Sequence, residues 1–235
     1  MKTKHTLLFF ISLFVFSSFS TKAQEENEVV NDTVVKNNVY GLRLGIDLAK
    51  PTRTLVDDDF SGFEFMADYR ITHRFFIALE VGNDKDEQIE SNLVSSTKGS
   101  YIKIGGDFNA YNNWVGMNNS IILGLRYGFS TFDQELISYS YYTGDTTFPG
   151  FTTEEPIEYT DLSAHWAEIV FGVKTEVYKN LFLSFQLQLK YLITEEVPEN
   201  FGNLYIPGFN RTYDFSDFGA GFSFGVSYLI PIYKK

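Results

Sequence analysis

Residues 180–193 read NLFLSFQLQLKYLI. From Leu181 to Ile193 every second side chain is large and apolar: Leu181, Leu183, Phe185, Leu187, Leu189, Tyr191 and Ile193. Between them stand Phe182, Ser184, Gln186, Gln188, Lys190 and Leu192. A two-residue period puts these sets on opposite faces of a strand, one apolar and one mostly polar. What meets the apolar face decides the class of protein.

Seven other segments carry the same alternation: VYGLRLGIDLAK (39–50), FEFMADYRI (63–71), FFIALEVG (75–82), YIKIGGDFNA (101–110), SIILGLRYGFS (120–130), HWAEIVFGVKTEV (165–177) and FGAGFSFGVSYLIPIY (218–233). Each is roughly as long as a tilted strand needs to be to cross a bilayer, about 9–11 residues. Their connections alternate in length. THR (72–74), YNNWVGMNN (111–119) and YKN (178–180) are short; 51–62, 83–99, 131–162 and 194–214 are long.

The second face of these strands is small or charged. It carries Arg43, Arg70, Lys103, Arg126, Lys174 and Lys190 against Asp47, Glu64, Asp68, Glu80, Asp107, Glu168 and Glu176, with glycines at 41, 45, 105, 124, 128, 172, 219, 221 and 225. Turned inward, the nearly balanced charges make a paired polar core. The opposite arrangement is a soluble ligand-binding barrel with its apolar set inside. That set holds about forty residues, mostly large, more than an eight-stranded interior can take. The expectation is an all-β, eight-stranded antiparallel up-and-down transmembrane β-barrel with short periplasmic turns, long extracellular loops and a plugged polar lumen. An even strand count puts both termini in the periplasm. Aromatic residues near strand ends, among them Tyr40, Tyr69, Phe75, Trp114, Tyr127, Tyr191 and Tyr228, suit interfacial belts, although Tyr and Phe are also good strand formers.

The first residues are a separate object. MKTKHTLLFFISLFVFSSFSTKAQ has two lysines, an apolar stretch from Leu7 to about Phe16, then small residues up to Ala23. That order is a secretory signal, with an apolar core too short for a spanning helix. Residues 1–23 are therefore expected to be cleaved, 24–38 to form a flexible periplasmic lead-in, and 39–235 to form the barrel. Loss of Lys2, Lys4 and Lys22 takes the net charge from -11 to -14. So acidic an exported chain does not suit nucleic acid. A mean hydropathy of -0.12 argues against a helical membrane protein. The absence of cysteine excludes disulfides, thiolate metal sites and a cysteine nucleophile.

These residues resemble the small, eight-stranded outer-membrane β-barrel proteins of Gram-negative bacteria, in particular families of uncharacterised function that open on a stretch like YGLRLGIDLAKP and close on a Gly/aromatic strand. The resemblance covers 39–235. It implies outer-membrane lipids, lipopolysaccharide and the barrel-assembly machinery as partners, and a monomer. Ser223, Gly225, Tyr228 and Ile230 resemble the assembly signal, although the chain continues to Pro231 and beyond.

Chemistry is thinly represented. Ser163 and His165 in SAHWAE share the apolar side of a strand and resemble the His/Ser pair of small-barrel lipid A deacylases, in reversed order and without a third member. No catalytic site, cofactor or metal site is expected. Acids in the long connections, including Asp57 to Asp59, Asp84, Asp86, Glu87, Glu90 and Asp214, read as a solvated outer face, with divalent-cation bridging to lipopolysaccharide as the alternative. The rings of Tyr139, Tyr141, Tyr142, Phe148, Phe151 and Tyr159 suit docking of a partner or glycan, but the preferred reading is an extension of the strands into a hairpin with these rings packed on one another.

Overall fold

The computed structural model describes residues 39–111, 118–141, 151–153, 155–199, 201–213 and 215–234. The expected signal and lead-in lie outside them, as do Trp114, Tyr142, Phe148 and Asp214. Eight long strands form an antiparallel ring. They are β1 (Val39–Asp47), β2 (Phe60–Arg70), β3 (Phe75–Glu90), β4 (Leu93–Asn109), β5 (Ser120–Tyr141), β7 (Ile157–Tyr178), β8 (Leu181–Glu195) and β11 (Phe218–Lys234). Neighbours in sequence pair in order, and β11 returns to β1, closing the barrel. A short β6 (Phe151–Thr153) pairs antiparallel with the end of β5.

The alternation sorts the side chains as the period requires. Leu125, Leu189 and Phe222 point out and are 56–66 % exposed, while their neighbours Arg126, Lys190 and Ser223 are buried. Glycines let large inward groups lie against the wall. At Gly128 a Cβ would meet the Trp166 ring at 2.1 Å, so only glycine fits. Of the residues resembling an assembly signal, Ser223 and Gly225 face inward and Tyr228 and Ile230 outward.

Three of the long connections depart from expectation. Segment 83–99 is not a loop: β3 and β4 continue through it and turn at Ser91–Asn92. Its alternation is invisible to hydropathy because both faces are polar. Asn83, Lys85 and Glu87 lie on one side, and Asp84, Asp86 and Gln88 on the other. Segment 51–62 begins inside a helix, α1 (Ala49–Val56). Asp47 accepts from the N–H of Ala49 at its start, and Pro51 sits in its first turn, where a missing N–H costs nothing.

The third departure is the segment 194–214. It folds back into the barrel mouth, where residues 203 and 205–209 are buried. Its hairpin pairs β9 (Tyr205–Ile206) with β10 (Asn210–Arg211). Gly208 takes φ 81° at the turn, a conformation that favours glycine. Ile206 and Phe209 join Tyr101, Phe132, Leu162, Ala164 and Trp166 in an apolar cluster inside the mouth. β5 and β7 pair beyond the ring as the expected hairpin, from Gln134 opposite Tyr159 to Leu136 opposite Ile157. Tyr159 stacks on Phe201 with centroids 6.2 Å apart.

Candidate functional site

The lumen is filled by a ladder of ion pairs that the ring brings together from six strands. Near the short-turn end Arg43 Nε donates to Asp68 Oδ1 at 2.7 Å, and the guanidinium lies between the rings of Phe76 and Phe182 at 5.1 and 4.9 Å. Lys174 Nζ reaches Asp68 Oδ2 at 2.7 Å and Asp107 Oδ2 at 3.7 Å. Arg126 bridges Asp107 at 2.7 Å and Glu80 at 3.2 Å. Lys103 then joins Glu80 at 2.7 Å to Glu64 at 3.0 Å, and Tyr101 OH donates to Glu64 Oε2 at 2.6 Å. Each charge is held by opposite charges, some on the adjacent strand and some across the lumen, which is what burial of an ion demands.

The remaining expected lumen residues sit at its edges. Glu168 accepts from Trp166 Nε1 at 2.7 Å and stands 3.8 Å from Lys190, whose ammonium donates to Gly208 O at 2.7 Å. Arg70 lies 4.9 Å over the Phe76 ring. Asp47 accepts the backbone N–H groups of Ala49 and Phe224. Glu176 stands apart from the ladder. It is half-buried at the short-turn rim, where Asn118 Nδ2 and Asn180 N donate to it, both at 2.8 Å.

Ser163 and His165 share the outer face of β7 but engage different partners. Ser163 Oγ donates to Glu196 Oε2 at 3.0 Å, and His165 Nδ1 lies 2.8 Å from Tyr127 OH with the Phe129 ring at 4.7 Å. The hydroxyl is thus directed at a carboxylate rather than at the imidazole that would have to activate it. Among the described residues no group of three or more His, Asp or Glu is arranged to hold a metal ion.

The mouth holds two of the acids expected on a solvated outer face. Asp84 and Asp86 are buried. Lys50 on α1 gives Asp84 both its oxygens' contacts at 2.7 Å, and Tyr205 OH and Gly208 N add hydrogen bonds at 3.1 and 3.0 Å. Asp86 takes Arg53 Nη2 at 2.8 Å and the Gln88 amide. The clue was parity: residues 76, 78, 80, 82, 84 and 86 all face inward, so the polar face of β3 continues past the point where its apolar face stops.

Burial lifts the Asp86 carboxyl above its ordinary range, against the pull of Gln88 and Arg53. It also pushes the Tyr205 phenol well up, with Asp84 and Asp86 adding to the effect, so this hydroxyl stays a donor. Burial opposes the charge on Arg53, but Asp57 and Asp86 outweigh it and raise its pKa. Between α1, the inserted hairpin, β2, β8 and β11 remains a cavity of about 350 Å³.

No curated protein matches the sequence. Among solved structures the chain is similar to Ail, the attachment invasion locus protein of Yersinia pestis, at 10 % identity and a TM-score of 0.36, over 82 % of this chain and 95 % of that one. Residues 6–235 match the family described as domain of unknown function DUF6048, and the chain belongs to that family.

Proposed function

We propose that the protein is an integral outer-membrane barrel without catalytic activity, closed to ion flow, that holds its mouth and the β3–β4 and β5–β7 hairpins at the cell surface as a contact platform. The observation that carries this reading is the inversion of polarity. A closed ring buries its ions and exposes rows of Leu, Ile and Phe around its circumference. In water each exposed apolar row would forgo about 25 cal/mol per Å² of burial, whereas in a bilayer it is matched by hydrocarbon. In this reading the short turns and both termini face the periplasm, as in bacterial barrels of even strand number. A lumen crossed by the ion-pair ladder leaves no water column, and eight strands enclose little more than their own side chains.

Two measurements test this reading. Detergent-extracted protein should migrate faster in gels unheated than boiled, as a closed barrel does, and should give no steady conductance in planar bilayers. Folded protein released by salt alone contradicts the membrane placement. Stable single-channel steps contradict the sealed lumen.

A further inference from the structure

The barrel wall is incomplete beside the mouth cavity. β1 ends at Asp47, opposite Gly225. Beyond that point Phe218–Phe224 of β11 pair with β8 alone, and Phe60–Glu64 of β2 pair with β3 alone. Leu48 N–H makes the last backbone bond across, to Phe224 O at 2.7 Å, and Asp47 Oδ1 takes the Phe224 N–H at 2.9 Å. There the chain leaves the wall and becomes α1, so the ring lacks a strand for the upper part of its height.

The cavity reaches this gap. Its inner side is formed by Lys103 and Lys190, which are buried in the lumen. Its far side includes Ala220 and Phe222, whose side chains stand on the outer surface, Phe222 being 63 % exposed. The cavity thus reaches residues of both faces of the β11 edge, in the stretch no neighbouring strand covers, where α1 and the hairpin stand instead: Gly62 N–H donates to Thr54 Oγ1 at 3.1 Å and Asn210 Nδ2 to Ala220 O at 3.3 Å. Exposed Phe63 and Phe65 border the gap on β2, and exposed Phe222 and Phe224 border it on β11. The opening therefore lies in the apolar band, not above it.

Its interior is the reverse of the acidic chain around it. Lys50, Arg53, Lys103, Lys190 and Arg211 line it, against Asp47, Glu64 and Asp86. These three acids already accept hydrogen bonds from Phe224 N–H, Tyr101 OH and Arg53. Asp84, Glu80, Glu168 and Glu90, which pair with the lining cations, do not line it themselves. Lys50, Lys190 and Arg211 thus have their acid partners outside the lining, whereas Arg53 pairs with Asp86 and Lys103 with Glu64 within it, and the lining keeps a net positive charge.

We propose that this gap is a side entrance for a single-chain anionic amphiphile. Its acidic head enters the cationic cavity toward Lys103 and Lys190, and its acyl tail stays in hydrocarbon between Phe65 and Phe222. The proposal rests on the membrane reading of the outer face and adds a ligand class to it.

The test uses the full-length protein in detergent, with empty micelles as the blank and cis-parinaric acid as the probe. The acid should bind saturably, its methyl ester should not, and acetate should not compete. Ala220→Trp places an indole in the gap from the outer side and should weaken binding about tenfold or more, a loss of about 1.4 kcal/mol per decade. Leu125→Trp, across the barrel, should leave binding unchanged, and Arg211→Gln should weaken it several-fold. Heat-modifiable mobility reports folding of each variant. Equal binding of the ester, or equal loss from Leu125→Trp and Ala220→Trp, overturns the entrance. Absence of saturable binding by a detergent-extracted, heat-modifiable wild type also overturns it while sparing the membrane reading. A wild type that stays folded in solution without detergent overturns the membrane reading, and the entrance with it.

Discussion

The two ends of the lumen are built from the same residue types to opposite effect. At the short-turn end Arg43, Asp68 and Lys174 pair directly, Phe76 and Phe182 cover the guanidinium, and the void left is about 10 Å³. That is barely room for one water. At the mouth Lys50, Lys190 and Arg211 pair with acids set back from the cavity, and about 350 Å³ stays open between the lining side chains. The difference comes from the chain, not the charges. The short-turn end is walled by eight continuous strands. The mouth loses β1 at Asp47 and is finished by a helix and an inserted hairpin. Continuous strands give a sealed ladder; a missing strand gives a chamber.

The sharpest way to break this contrast is at the junction of the ladder. Glu80→Leu takes one of two carboxylate partners from each of Lys103 and Arg126, leaving an unbalanced buried positive charge, and should cost about 3–5 kcal/mol, read as a lower urea midpoint in vesicles. Leu125→Arg and Leu189→Arg on the outer band should each cost about 2–4 kcal/mol in bilayers, since both place charge in hydrocarbon. On a water-facing surface the same changes would be nearly neutral. The mouth should respond more locally. Tyr205→Phe removes a buried hydrogen bond to Asp84, worth about 1 kcal/mol. It should show as faster proteolysis of the 196–217 segment with the global midpoint almost unmoved. The smallest effect is expected at the outer pair. Ser163→Ala and His165→Ala should each shift stability by no more than about 0.5 kcal/mol and leave lipid A in producing cells unaltered. Altered lipid A in wild type alone would revive a hydrolase.

The contrast also explains what could be read from sequence. Along β8 composition and face are locked together by the two-residue period, so Leu187 and Gln188 announce opposite sides, and the ladder residues follow from the same parity. Which acid meets which base depends on strand register and axial height. Lys174 on β7 finds Asp68 on β2, across the lumen and 106 residues away, a pairing no local pattern carries. The mouth was less legible still. Asp84 and Asp86 sit on a strand with two polar faces, and AKPTRTLV is too short and mixed to stand out as a helix. NLYIPGF (203–209) has no period at all; it is buried because Asp84, Lys190 and the Trp166 cluster receive it. Residues that complete someone else's site are the hardest to find one segment at a time.

The central claim is that hydrocarbon meets one face of every strand and paired ions the other. Because the chain has no cysteine, single cysteines can be placed along β8 from Leu183 to Leu189 and labelled with a nitroxide in reconstituted vesicles. Collision with oxygen, which concentrates in the bilayer, should rise and fall with a period of two, high at Leu183, Phe185, Leu187 and Leu189 and low at Ser184, Gln186 and Gln188. A polar, water-borne relaxant reaching the Leu and Phe positions instead would contradict the account.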